Sequence, residues 1–335
     1  MKIQLRFILL IIALAVLFSA FIDKPRKPRT AGVVFYNVEN LFDTLDNTSK
    51  NDNEFLPTGE KNWNTERYNT KLERIAEVLK GISEELPAVV GFAEVENRNV
   101  LEDLALEEIL APAKYKVIHF ESPDRRGIDV GLFYSKKKFK IFNAKRVPVP
   151  TGLKNSFTRD ILLVHGRLKR GPEIYFIVNH WPSRYGGQEK SEPKRISASR
   201  ILAQKIDSLL LLNPEAHIIA MGDFNDYPDN KSISEVLLHD RSTNLTNLMD
   251  RTKSQYPGSY HYRGKWGYLD QFIVTTSLVD SALPDIHPNT TMSFSTPKMI
   301  YTKRNGKNIP NRTYGGSKYY GGYSDHLPIY TELVY

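Results

Sequence analysis

The sequence predicts an α/β domain built on mixed or antiparallel β-sheets, and three observations point to it. Short apolar runs bounded by Gly, Pro, Asn or Asp recur along the chain, only two stretches carry a clear helical repeat, and the regular strand–helix alternation of a doubly wound sheet is missing. At 335 residues, 41% hydrophobic and 25% charged, the chain has enough apolar material for a large core. No internal repeat and no convincing linker divides residues 31–335, so they read as one domain.

The N-terminus stands apart. In "MKIQLRFILLIIALAVLFSAFID", Lys2 and Arg6 precede an apolar run over 7–22 that Asp23 ends, the pattern of a secretory signal. A run of 16 residues is at or just below the length that spans a bilayer, and Phe18 stands where a cleavage site wants a small residue. Residues 1–23 are therefore expected to be a signal peptide or an uncleaved membrane anchor, and the protein to be exported: to the periplasm, outside the cell, or held at the membrane. The absence of cysteine excludes both a lipid anchor on Cys and a disulfide framework. Residues 24–30, "KPRKPRT", form a basic tether. Loss of residues 1–23 lowers the net charge only from +8 to +7, which suits a polyanionic or phosphate-bearing partner without identifying one.

Element by element, "GVVFYNVENLF" reads as a buried strand running into a loop, and the polar residues 44–64 as a surface insertion. Residues 65–85 place Leu72, Ile75, Ala76 and Leu79 at the i, i+3, i+4, i+7 spacing of an amphipathic helix. "PAVVGFAEVEN" is a strand with Glu94 at its end. "IDVGLFYS", "ILLVHGRL", "IYFIVNHW", "HIIAMGDFN", "LDQFIVT" and "LPIYTELV" are further short strands. Residues 193–212 form the second helix, with Ile196, Ser199, Leu202, Ala203 and Ile206 on one face. "NRTYGGSKYYGGY" reads as a flexible loop, its glycines permitting motion or close approach.

Polar residues gather at the strand ends. Asn37 and Glu39 end the first strand, Glu94 the second, Asn179 and His180 a third, and Asp223 and Asn225 a fourth; Asp270 lies inside "YLDQFIV", and Asp325 and His326 precede the last strand. Singly, each is explained as a turn or cap. Glu94 and Asp270 resist that, because a carboxylate among apolar neighbours must be solvated, paired or bound to metal. As a set they suit phosphate-ester hydrolysis, which needs oxygen ligands for a hard cation, a positioned water, donors for the phosphoryl oxygens and an acid for the leaving group. A conventional zinc site, a nucleotide-cradling GxxxxGK[ST] loop and a GxSxG nucleophile have no support in the sequence.

In their order, "NVEN", "GFAEVEN", "NHWPSR", "GDFND", "YLDQFIV" and "SDHLPI" resemble the endonuclease/exonuclease/phosphatase superfamily. Its members include pancreatic deoxyribonuclease, apurinic/apyrimidinic endonucleases, bacterial sphingomyelinases and inositol-polyphosphate 5-phosphatases. The resemblance covers essentially all of 31–335 and makes this the catalytic domain. It implies a deoxyribonuclease-like four-layer sandwich, two packed β-sheets with helices on the outer faces. It also implies that Glu94 and Asn37 serve the metal, Mg²⁺ or Mn²⁺, with Asp325 near it and Glu39 a weaker candidate. By the same likeness Asp223 would orient or deprotonate the attacking water, and Asn225 would hold the phosphate. His326, oriented by Asp270, would contact the phosphoryl group or act in acid–base transfer, and His180 matches the second histidine of the deoxyribonuclease and sphingomyelinase types. Arg159 in "FTRDILLV" resembles an arginine before a strand in deoxyribonucleases.

The substrate is less legible. Arg184, followed by two glycines, is placed to grip a phosphate, or to lie in a solvated loop. In "YHYRGKWGYLD", Tyr260, Tyr262 and Trp266 interleave with Arg263 and Lys265; they suit stacking on bases, contact with an acyl chain, or packing of the sandwich edge, and packing is preferred. The leading expectation is a monomeric, exported, metal-dependent nuclease; the alternative is a phosphodiesterase or phosphatase on a lipid head group or small phosphoester, sphingomyelinase-like or inositol-phosphatase-like.

Overall fold

The computed structural model describes residues 28–151, 156–241, 244–252, 254–287 and 289–335. The expected signal or anchor, and residues 24–27 of the tether, lie outside them. Among the described residues no helix is long and apolar enough to cross a membrane.

Two sheets share one plan. In the first, β1 (Thr30–Leu41) and β2 (Val89–Val95) run parallel at the centre. β4 (Asp129–Ser135) and then β3 (Tyr115–His119) extend it antiparallel on one side. β19 (Ile329–Val334) pairs antiparallel with β1 on the other, carrying the short β13 (Asp285–Ile286) and β14 (Met292–Ser293). In the second sheet β7 (Glu173–His180) and β8 (Ile218–Asp223) are the parallel pair. β6 (Ile161–Leu168) and β5 (Phe139–Val147) flank it on one side, β12 (Asp270–Thr275) and β9 (Leu245–Asn247) on the other.

The central strands read as almost unbroken apolar runs because both of their faces are covered. Phe35, Leu132, Val164, Phe176, Met221, Phe272 and Ile329 fill the space between the sheets. Val34, Tyr36 and Phe92 face outward against α1 (Thr65–Gly81) and α2 (Arg98–Ala105). Ile177, Ile218 and Ala220 face outward against Ala198, Leu202, Ala203 and Ile206 of α3 (Gln188–Leu212). The result is the expected four-layer sandwich. Each fully buried Leu or Ile contributes about 1.5–3 kcal/mol relative to exposure.

Three expectations need correction. α3 begins at Gln188 rather than 193, although Pro193 disfavours a helix interior. The early turns are tied down by Arg195, whose guanidinium donates to Gln188 O (3.0 Å) and Ser191 Oγ (2.8 Å). Residues 44–64 are no mere surface insertion: Trp63 is buried and donates from Nε1 to Phe42 O (2.9 Å), and Phe55 stacks on Phe42 at 4.4 Å. Nor is the glycine-rich stretch before the last strand a flexible loop. It folds into the hairpin β17 (Tyr314–Gly315) and β18 (Lys318–Tyr319), with Tyr314 packed on Phe55 and Trp63.

Candidate active site

The topology brings the polar strand ends together. β1 and β2 end at the same pole of the first sheet, which presents Asn37 and Glu94; β7 and β8 do the same in the second, pairing His180 with Asp223 in register. β12 runs antiparallel to β8 with its first residue, Asp270, opposite Asp223, and His326 lies just before β19. Gly222 fits this crowding, since a Cβ there would lie 2.3 Å from Asn179 O.

The backbone around the site departs from regular strand. Glu39, Asn40, Glu94 and Asn225 all have left-handed φ (52°, 57°, 63° and 51°). The register of β2 with β4 slips between Ala93 and Val95, at Glu94, and that of β1 with β2 slips between Asn37 and Leu41, irregularities that re-aim the side chains there. Such conformations cost on the order of 1 kcal/mol each for non-glycine residues and cluster where a site demands them. Here the benefit is the aim of Glu94: Oε2 accepts from Asn40 N (3.1 Å) and Oε1 from Asn37 Nδ2 (3.3 Å).

Asp223 is the hub. Its Oδ2 accepts from Asn37 Nδ2 (3.1 Å) and lies 3.7 Å from His180 Nε2 and 3.9 Å from His326 Nε2, while Oδ1 accepts from Asn225 N (2.9 Å). Burial raises its pKa to about 7, against the pull of His326 and with some help from Asp270. His326 Nδ1 is 2.7 Å from Asp270 Oδ2. Burial alone would depress this imidazole, but Asp270, then Asp223 and Asp325, drive its pKa well above the usual value. His180 goes the other way: burial, then the cations Arg159 and Arg126, push it well below. Its Nδ1 has no hydrogen-bond partner among the described residues.

Oxygen donors of the kind a hard cation needs stand near Asp223. Glu94 stays partly accessible, and among the described residues the ionic neighbours of Asp325 are Arg312 (3.7 Å) and His326 Nε2 (4.0 Å). Glu39 is pushed to about 7, first by burial and then by Asp325, against the pull of Lys71. The buried Lys71 is lowered to about 8 by its burial, while Glu39, Asp325 and Glu94 all oppose that shift. The ammonium itself donates to Thr313 Oγ1 (2.6 Å) and Tyr323 O (2.7 Å), and the three carboxylates that act on it are the kind of oxygen donor that suits Mg²⁺ or Mn²⁺. Glu39 is the least free, because its oxygens accept from Thr313 N (2.6 Å) and Tyr314 N (3.1 Å). Asp223, Asp270 and His326 also bring one ligand atom each within 4.8 Å; His326 Nδ1 already occupies Asp270 Oδ2, while the buried Asp270 Oδ1 has no hydrogen-bond partner among the described residues.

The two arginines offered as substrate ligands, Arg184 and Arg159, both have partners within the protein. Arg184 donates to Asn225 O (2.8 Å), Asp226 Oδ1 (3.0 Å), Asn230 Oδ1 and Gln188 Oε1, and lies over the Tyr227 ring at 4.4 Å. It braces the loop after β8 instead of reaching outward. Arg159 is buried and donates to His180 O (3.2 Å), Trp181 O and Asp124 Oδ2 (3.1 Å), so it fixes the backbone beneath His180. Asn225 Nδ2 spends one hydrogen on Trp181 O (3.0 Å) and keeps the other. Of the aromatic trio, Trp266 packs as preferred, stacking on Tyr256 at 4.9 Å. Tyr260 does not: it lies 4.7 Å from the His326 ring. Lys71 and Arg312 were missed. Lys71 had a signal, standing one helical turn before Ile75 on the buried face of α1.

A sequence model of the Endonuclease/Exonuclease/phosphatase family matches residues 32–334. No curated protein matches the sequence. Among solved structures, an endonuclease/exonuclease/phosphatase family protein of Bacteroides thetaiotaomicron is similar at TM-score 0.59 and 16% identity, over 92% of this chain and 99% of that one. A mannosyl-6-phosphatase of the same organism gives 0.57 and 15%, over 91% and 100%. D. rerio TDP2 complexed with single strand DNA product gives 0.56 and 16%, over 91% and 98%.

Proposed function

The chain belongs to the endonuclease/exonuclease/phosphatase family, whose members are divalent-metal-dependent phosphoester hydrolases, and from that premise we propose that it is an exported nuclease or phosphodiesterase cleaving nucleic-acid phosphodiester bonds. The observation that carries the hydrolytic reading is the meeting of Glu94, Asn37, Asp223, His180 and an Asp270-backed His326 at one end of the sandwich.

In this reading Glu94 and Asp325 would hold Mg²⁺ or Mn²⁺ with Asn37 beside them, Glu39 being mostly committed to the hairpin. The chemistry such an ion supplies is polarisation of the phosphoryl group and stabilisation of charge on the leaving oxygen. Asp223, poised near neutrality, takes the proton of the attacking water. His326 is held as imidazolium by Asp270 and gives a proton or a charged hydrogen bond to the phosphoryl group. His180 remains neutral and offers Nε2–H, and Asn225 offers its remaining amide hydrogen. Arg159 sets the height of His180 from below.

A phosphatase on a small phosphoester is the second reading, favoured by the likeness to a mannosyl-6-phosphatase and by how deeply Asp223, His180 and His326 are buried. Export, by a signal or anchor in residues 1–23, rests on the sequence pattern, and N-terminal sequencing of fractionated cells tests it. Incubation with plasmid DNA, RNA, sphingomyelin, inositol phosphates and phosphosugars, in Mg²⁺ and in EDTA, tests the rest. Metal-dependent cleavage of DNA or RNA is expected; turnover of only the small phosphoesters selects the second reading, and activity that survives EDTA removes the metal mechanism.

A further inference from the structure

Two hairpins that this chemistry leaves unused stand together beside the site. β10 (Tyr260–Tyr262) and β11 (Lys265–Gly267) are joined by Arg263 and Gly264, both left-handed (φ 47° and 89°), as a two-residue type I′ turn requires. β15 (Ile300–Thr302) and β16 (Asn308–Pro310) form the second, closed by Lys303 N donating to Lys307 O (2.8 Å). The tips abut, for a methyl group on Gly264 would lie 3.6 Å from Lys307 Nζ. Residues 260–267 and 300–309 contain Arg263, Lys265, Lys303, Arg304 and Lys307 and no carboxylate, and all five cations are exposed. His261 registers the crowding: its pKa is lowered first by burial and next by Lys303. Like charges gathered this way repel one another and invite a polyanion.

An aromatic row leads from this ridge to the reacting centre. Alternation along β10 puts Tyr260 and Tyr262 on one face, and His261 on the other, where it packs on Trp266 at 5.4 Å. The Tyr260 ring is 4.7 Å from the His326 ring; Tyr262 is 6.5 Å farther out, only 16° from parallel with Tyr260, and 53% exposed. The hairpin is fastened to the site by the bridge of Tyr260 with His326 and by Leu327 N donating to Ser259 O (2.7 Å).

We propose that the two hairpins form a track for a single-stranded polynucleotide, with unpaired bases stacking along Tyr260 and Tyr262 and phosphates lying on Arg263, Lys265, Lys303, Arg304 and Lys307. The inference rests on the nuclease reading and narrows it, because a base in a duplex has no free face to offer a tyrosine. A membrane surface fits less well: the tips are Arg-Gly and Arg-Asn-Gly, without the Trp, Phe or Leu that inserts among lipids.

The test is fluorescence anisotropy of the full chain in EDTA with a labelled DNA of about 20 nucleotides, single-stranded and as a duplex, and with anionic phosphatidylserine vesicles in parallel. The single strand should bind at least about tenfold more tightly than the duplex. The K303A/R304A/K307A variant should lose about tenfold or more in affinity and flatten the log Kd against log salt slope by about 2. Tyr262→Ala should abolish the single-strand preference and Tyr262→Phe should keep it. These variants should turn over bis-p-nitrophenyl phosphate within about twofold of the parent, since the reacting groups are untouched. Equal affinity for single strand, duplex and vesicles, unchanged binding by the triple variant, or no binding by the parent chain would each overturn the proposal. Failure of the parent chain to hydrolyse the small diester would strike the hydrolytic reading instead, and leave the binding result standing.

Discussion

His180 and His326 are both buried at strand ends, both face Asp223 across almost the same gap, and are driven to opposite charge states. What differs is the group behind each ring. His326 has Asp270 at hydrogen-bond distance from Nδ1, and that carboxylate overcomes the penalty of burial. Behind His180 stands Arg159, which meets that residue only at its backbone oxygen, pairs with Asp124, and adds its positive charge to the penalty of burial. Desolvation alone favours the neutral form of both, so the division of labour between imidazolium and neutral imidazole is set chiefly by Asp270 of β12, with Arg159, before β6, reinforcing what burial does to His180. A histidine's role in such a site is read from its partner, not from its own burial.

The comparison is most exposed to variants of the charged arm. His326→Ala is expected to lower turnover of bis-p-nitrophenyl phosphate by about 10²–10⁴ with an unchanged circular dichroism spectrum, and near-parent turnover would break the assignment. The next largest effect belongs to the neutral arm's support. Arg159→Met leaves Asp124 buried opposite only the half-exposed Arg126, and urea denaturation should show a loss of about 3–5 kcal/mol. His180→Asn keeps a neutral donor, so it should retain at least about tenfold more activity than His326→Asn; equal losses would erase the difference between the rings. The smallest effect is expected at Arg184. Arg184→Ala should cost about 1–2 kcal/mol through the loop after β8 and leave KM for the small diester unchanged, whereas a raised KM would restore it as a phosphate ligand.

Much of this was legible in the sequence. The residues on which the site turns stand at strand ends, where a break in an apolar run marks them, and the pairing of His326 with Asp270 follows the family pattern. What escaped was set by contacts between distant segments. Arg184 looked free because Asp226 and Asn230, which saturate it, lie more than forty residues away. The hairpin at 314–319 looked mobile because its glycines were visible, while the cage of Phe55 and Trp63 around Tyr314 and the bonds from Glu39 were not. Glu39, Asn40 and Glu94 adopt left-handed conformations with no glycine to announce them, since the surrounding sheet imposes what local propensity would refuse. The preference for packing at Tyr260–Trp266 held for the tryptophan, and failed for Tyr260 because His326 arrives from the far end of the chain.

The most direct measurement of the central claim, that Asp270 charges His326 within a metal-dependent phosphoesterase, is the hydrolysis of bis-p-nitrophenyl phosphate by the parent chain and by Asp270→Asn. Each is assayed in Mg²⁺, in EDTA, and after Mg²⁺ is returned. The account predicts that the parent chain is active in Mg²⁺, silent in EDTA and restored by Mg²⁺, and that Asp270→Asn is slower by about a hundredfold or more when loaded. Equal turnover by the two chains, or turnover indifferent to EDTA, would contradict it.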